Sequence, residues 1–227
     1  MAPQRLAIRA AFGLVQLFAG IALTIFPSAG TLDYWQGWLF IATFIDAAAG
    51  VSIYLWFSDR ALLERRLGGG ASRETQPRQK LIRACLALAF LAELAVPAFD
   101  YRWHGATVPP LVAIAGDVLV VAGFIVVMAA FRANTFAAST IQVAVEQSVV
   151  TTGAYAVVRH PMYSGALVLL AGMPLALGSW ISLVLVIPSA AVIAWRLLDE
   201  EAFLAANLPG YADYLRRVRW RLVPRLW

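Results

Sequence analysis

The chain is short of charge. Only 14% of its 227 residues are Asp, Glu, Lys or Arg, while 61% are hydrophobic. A soluble domain carries roughly a quarter charged residues. With a mean hydropathy of +0.74, that excludes an ordinary soluble domain and points to a membrane protein, long enough for one compact domain of several spans. Cysteine is nearly absent. Cys85 stands alone in an apolar stretch, so no intrachain disulfide forms. One cysteine with two histidines, His104 and His160, does not make the usual structural zinc site, and no metal is expected. Lysine is nearly absent too: Lys80 is the single lysine among eighteen basic residues, which suits a GC-rich bacterial genome. No G-x-G-x-x-G follows a strand, and Gly68-Gly69-Gly70 reads as loop, so a Rossmann-type domain is excluded. No stretch alternates basic and aromatic residues as a nucleic-acid groove would.

What is present is a series of apolar segments, at about 10–27, 36–57, 81–99, 110–131, 163–178 and 181–197. The first four approach the ~20 residues a helix needs to cross a bilayer core. The last two are short, and Gly178-Ser179-Trp180 between them leaves room only for a turn. The pattern predicts an all-α polytopic membrane bundle: four spans, a C-terminal helical hairpin and a cytoplasmic amphipathic tail. Pro188 should kink the second arm of the hairpin. Arg5 and Arg9 before the first apolar run, and Pro-Ser-Ala-Gly after it, superficially resemble a signal peptide. The run is too long for one, so a retained first helix is expected.

Arginine placement sets the topology. The N-terminus, the 58–80 connection, the 132–159 segment and the tail are basic; the 28–35 and 100–109 connections are nearly free of basic residues. The positive-inside rule then places both termini in the cytoplasm with an even number of spans. Trp35, Trp38, Trp103, Tyr34 and Tyr101 fall at the opposite edges, where an aromatic belt belongs. Residues 68–78 read as a flexible loop. Leu208-Pro209-Gly210 should split the 198–227 tail into two short interfacial helices.

Asp46, Glu93 and Asp117 lie inside predicted spans. A charge there costs about 2.5–3.5 kcal/mol on insertion scales, so each needs a partner or a wet cavity. A transport path is one reading, and hydrogen bonds between helices are the other. One acid on each of three helices, with no Arg or Lys deep inside the first four spans (Arg83 lies at the edge of the third), favours the second.

The most specific stretch is Gly153-x-Tyr155-x-x-x-Arg159-His160-Pro161-x-Tyr163-x-Gly165. Pro161 suits a first helical turn. The free N–H groups of that turn attract anions, and Arg159 adds a fork of donors matched to a carboxylate. About forty residues on stand Arg196, Asp199, Glu200 and Glu201. An antiparallel hairpin sets them beside Arg159 and His160. Together with Tyr155, Tyr163 and Phe203, this set suits a zwitterionic ligand with a positive centre. Taken singly, the same residues would equally serve interfacial anchoring.

At these residues the chain resembles the isoprenylcysteine carboxyl methyltransferases and their phospholipid N-methyltransferase relatives. Their pattern is G-x-Y-x-x-x-R-H-P-x-Y-x-G followed by a Glu-Glu pair. The resemblance runs from about 132 to 221 and extends loosely to Tyr34-Trp-Gln-Gly-Trp38, Leu62-Leu-Glu-Arg-Arg66 and Asn134-Thr-Phe136. It implies a single integral membrane domain over 1–227, with a four-span part (1–131) and a cofactor-binding catalytic part (132–227). It also implies S-adenosylmethionine as cofactor and S-adenosylhomocysteine as product. Gly153 and Tyr155 would shape the entry, Arg159, His160, Pro161, Met162 and Tyr163 would line the pocket, and Glu200 and Glu201 would close it.

Methyl transfer from a sulfonium is an in-line displacement that asks chiefly for alignment and exclusion of water. A carboxylate acceptor needs no base. An amine or thiol acceptor would gain from one, and Glu201 or His160 could serve. Arg196 would either orient an acceptor carboxylate or pair with Glu200 one turn along its helix. Asn134 and Gln142 are further polar candidates near the acceptor, with capping or loop hydrogen bonding as their ordinary roles. The expected partner is a lipidic, membrane-partitioned acceptor entering laterally, with no nucleic acid, in a bacterial inner membrane. Carboxyl O-methylation is the first expectation, with N-methylation of an aminophospholipid or S-methylation of a thiol as alternatives. A small transporter or non-enzymatic membrane scaffold is the remote one.

Overall fold

The computed structural model describes residues 3–68, 77–137 and 148–227. Gln142 and most of the expected 68–78 loop fall outside them. The described residues form helices and turns only: α1 (Pro3–Ala29), α2 (Trp35–Ser58), α3 (Arg60–Gly68), α4 (Pro77–His104), α5 (Pro110–Ala133), α6 (Pro161–Ala176), α7 (Val186–Asn207) and α8 (Tyr211–Arg217). Short 3-10 turns cover Gly153–Ala156 and Ile181–Leu185. Among the described residues, five helices are long and apolar enough to cross a bilayer: α1, α2, α4, α5 and the continuous Ile181–Asn207 segment. Their outward faces expose Phe12, Leu23, Phe57, Leu88, Leu111 and Ile187, a surface stable only in lipid.

The shorter α6, 16 residues and about 24 Å long, lies inside the bundle against α5. Four glycines make the contact. Gly116 meets the backbone at Ala176 and Gly172, and Gly123 meets Gly165 and Leu169. A Cβ at Gly116 would come within 2.3 Å of the Ala176 nitrogen, and one at Gly123 or Gly165 within 2.6 Å of the facing carbonyl oxygen. Small residues allow this approach of two helix backbones, whose packing replaces the hydrophobic drive that lipid does not supply. The pairing fixes α6 in register on α5 and thereby fixes where its N-terminus ends.

At the end of the bundle opposite that N-terminus, the expected turn at 178–180 is present. Gly178 takes a φ of +77°, and its carbonyl accepts from the backbone N–H groups of Thr107 and Val108. Ser179 Oγ donates to Asp100 at 2.6 Å. Trp35, Trp38 and Trp103 are exposed as a belt requires, but Tyr34 is buried. It stacks on Tyr101 at 4.1 Å, and its hydroxyl donates to the Leu177 carbonyl, so it is a core residue rather than a belt residue.

Three further local expectations are revised. The 58–80 connection contains a helix: Asp59 Oδ1 accepts the Leu62 N–H at 2.9 Å, an N-cap, while Leu62 and Leu63 are buried. Pro188 makes no mid-helix kink. It sits in the first turn of α7 after the 3-10 turn, where a missing N–H costs nothing. The break at Leu208-Pro209-Gly210 is real, but the helix before it is the end of α7, and α8 packs on the protein through buried Tyr211 and Tyr214. Of the intramembrane acids, Glu93 is fully buried and accepts from Ser189 of α7 at 3.0 Å. Asp117 is buried, and Asp46 is exposed on α2.

Candidate active site

The site grows from the start of α6. Pro161 occupies the first position of that helix, so the first-turn N–H groups of Met162 and Tyr163 have no acceptor within it. The residues just before it are held by the C-terminal segment. Arg159 N–H donates to Trp220 O at 2.8 Å, and His160 N–H to Arg221 O at 3.0 Å. Ser164 Oγ donates to Leu222 O at 2.6 Å. The tail is thus strapped along the mouth of α6 and is not a free interfacial helix.

Arg159 fastens the strap. Its Nε donates to Val218 O and its Nη2 to Leu215 O, both at 2.6 Å, which satisfies carbonyls at the end of α8. Its Nη1 reaches Glu201 Oε1 at 3.1 Å. Glu201 also meets His160 Nε2 at 3.3 Å and accepts from Arg221 Nε at 3.0 Å. A buried carboxylate ringed by three partners is a structural anchor with little spare capacity for a proton.

One helical position earlier the chemistry changes. Tyr163 OH donates to Glu200 Oε2 at 2.6 Å and accepts from Arg196 Nε at 2.9 Å. Arg196 Nη1 donates to Gln79 Oε1 at 3.3 Å. Gln79 in turn donates to Asp199, which pairs with Arg78 at 3.1 Å. Arg196 and Glu200 therefore share the Tyr163 hydroxyl, and α4 is tied to α7 behind it.

In front of these residues opens a cavity of about 770 Å³, its mouth included. Its described walls are Asn134, Phe136, Ala137, Ser148, Val149, Val150, Tyr155, Arg159, His160, Met162, Tyr163, Glu200, Leu204, Leu208, Tyr211 and Tyr214. Burial pushes the Tyr155 hydroxyl up to about 12, so it remains a neutral donor at physiological pH. Asn134 spends its Oδ1 on the Phe136 N–H at 2.9 Å, and Tyr214 OH donates to Tyr155 O at 2.9 Å.

Of the residues singled out in the sequence, Asn134, Tyr155, Arg159, His160, Met162, Tyr163 and Glu200 stand on this wall. Gly153, Pro161, Arg196 and Glu201 stand behind it. Gly153 takes a φ of +60° in the entry turn, Arg196 lies behind Tyr163, and Glu201 lies within the strap. Gln79 and Arg221 are absent from the sequence reading. A lone glutamine beside a polar loop and one arginine among several in the tail carry no periodic signal, and only the fold brings them to the site.

In sequence the chain is similar to a class of integral membrane methyltransferases. The particular match is to the phospholipid methyltransferase family, whose model aligns with residues 111–209, from the first turn of α5 to the break after α7. That family lies in the same group of integral membrane methyltransferases to which the 153–165 motif points. No curated protein matches the chain.

Proposed function

We propose that the protein is a membrane-embedded, S-adenosylmethionine-dependent methyltransferase that O-methylates the carboxylate of a lipidic acceptor. The observation that carries this reading is the cavity itself. It joins a helix N-terminus, an acidic side chain and a set of tyrosines at the end of membrane helices. These residues fit the cofactor's groups. The N–H groups at the start of α6 and His160 suit its carboxylate. Glu200 suits its ammonium or ribose hydroxyls, the faces of Tyr211 and Tyr214 its positive sulfonium, and Leu204, Leu208 and Val149 its flat base. When bound, the cofactor supplies a methyl group already activated by the sulfonium charge.

The protein's own share is alignment and exclusion of water. A carboxylate oxygen forms the new bond to the methyl carbon as the carbon–sulfur bond breaks, and no proton moves. That suits a site in which Glu201 is already committed to Arg159, His160 and Arg221. The arginine-rich connections support a cytoplasmic site with both termini on that side, in a bacterial inner membrane. The acceptor reaches the site from the bilayer.

The family match favours a second reading, N-methylation of an aminophospholipid, with Glu200 on the cavity wall as the group to take the amine's proton. Transfer of labelled methyl groups to native membrane lipids separates the two. An ester releases its label as methanol in alkali, and an N-methyl group keeps it. Alkali-labile label supports O-methylation; alkali-stable label in aminophospholipid overturns it.

A further inference from the structure

Arg66, in the last turn of α3, is a cation without a counter-ion among the described residues. Its Nη1 donates to Ala137 O at 3.2 Å and lies 3.8 Å from Met162 Sδ. Its guanidinium stacks over Phe131 at 4.3 Å. Among the described residues no carboxylate reaches it. Three neighbouring cations differ: Arg159 and Arg221 share Glu201, and Arg78 has Asp199. Burial pulls Arg66 down to about 10, with Tyr163 and Tyr155 opposing that fall and Arg196 adding to it. It therefore stays charged at neutral pH. A charge withdrawn from water needs pairing, and here a carbonyl, a thioether and a ring supply only part of it.

Two of its three contacts, Ala137 and Met162, stand on the cavity wall. Behind it lies an apolar cluster of Leu6, Leu55, Leu62, Leu63 and Phe131, against which Ala137 and Met162 also pack. Arg66 thus sits between the cavity wall and a buried apolar cluster of the bundle. An amphiphile with an acidic head fits that position, its head at Arg66 and its tail directed to the bilayer.

We propose that Arg66 anchors the acid group of the methyl acceptor and thereby selects acidic amphiphiles over neutral ones. This rests on the methyltransferase reading, which calls the amphiphile an acceptor. A purely structural Arg66 would hold the 135–137 segment in place, as Arg65 does by donating to Thr135, and would show no preference among amphiphiles.

The test uses the full chain in neutral maltoside detergent, with dodecanoate and dodecanol as probes and S-adenosylhomocysteine and methylthioadenosine alongside. The parent should bind dodecanoate about tenfold or more tightly than dodecanol, as expected for a charge-assisted contact. Arg66→Met and Arg66→Gln should lose that preference while S-adenosylhomocysteine affinity stays within about twofold. Arg66→Lys should keep part of it. Arg66→Gln, which retains a donor for Ala137 O, serves if Arg66→Met does not fold. Equal loss of both amphiphiles would overturn the proposal. So would weaker S-adenosylhomocysteine binding with unchanged methylthioadenosine binding, which would assign Arg66 to the cofactor's carboxylate. A parent that ignores S-adenosylhomocysteine yet keeps an Arg66-dependent preference for dodecanoate would uphold the anion anchor and retire the methyltransferase reading.

Discussion

Glu201 and Glu200 are neighbours in sequence with opposite duties. Glu201 turns into the protein and holds Arg159, His160 and Arg221; Glu200 stays on the cavity wall with one oxygen accepting from Tyr163. Removing Glu201 leaves buried cations unpaired, so Glu201→Ala should destabilise the protein by about 3–5 kcal/mol. Glu201→Gln, which keeps acceptors, should cost less. Thermal unfolding in detergent measures both, and equal stability of Glu201→Ala and the parent would show that the anchor is idle. The sequence places both acids beside Arg159 and His160, because hairpin spacing determines which ends meet. It does not assign their roles, because a one-residue step on a helix is a turn of 100° and only the packed partner tells inside from outside.

At the scale of elements, the α5–α6 contact decides where the site is. Gly116 and Gly123 are seven residues apart, as are Gly165 and Gly172, and they interlock in antiparallel order. The signal is written in the sequence as two equal glycine spacings. It means nothing until the two helices are known to be partners. Gly123→Val should be destabilising by about 1–3 kcal/mol or more, because its Cβ would meet backbone that cannot step aside. The same substitution at Gly20, where an added Cβ meets nothing within 4 Å, should be nearly neutral. Comparable losses at the two positions would contradict this packing. The long spans were legible because length and apolarity alone define them. The helix at Arg60–Gly68 was not, because its basic residues disguised a short apolar face anchored by Asp59.

For the whole molecule, the C-terminal segment converts a membrane bundle into a site. Residues 218–222 supply carbonyls to Arg159, His160 and Ser164 and the guanidinium of Arg221 to Glu201. Read as a sequence, the tail is charged and aromatic at helical spacing, which suggests a lipid surface. The hydrogen bonds that hold it to the site are to backbone and side chains far away in the chain, and no local pattern encodes those. Truncation after Arg217 should therefore leave a helical bundle by circular dichroism and abolish S-adenosylhomocysteine binding. Retained binding would show that the strap is dispensable.

In the proposed function, the cavity in front of Tyr163 and Glu200 holds the methyl donor. Calorimetry of S-adenosylhomocysteine with the detergent-purified protein tests it most directly, with Glu200→Ala as the comparison because that side chain lines the cavity and accepts a hydrogen bond from Tyr163. The account predicts one site per chain in the parent and an affinity about tenfold weaker in a folded Glu200→Ala, the loss of a charge-assisted contact. A folded parent that does not bind would contradict the donor site, and equal binding by both proteins would contradict its location.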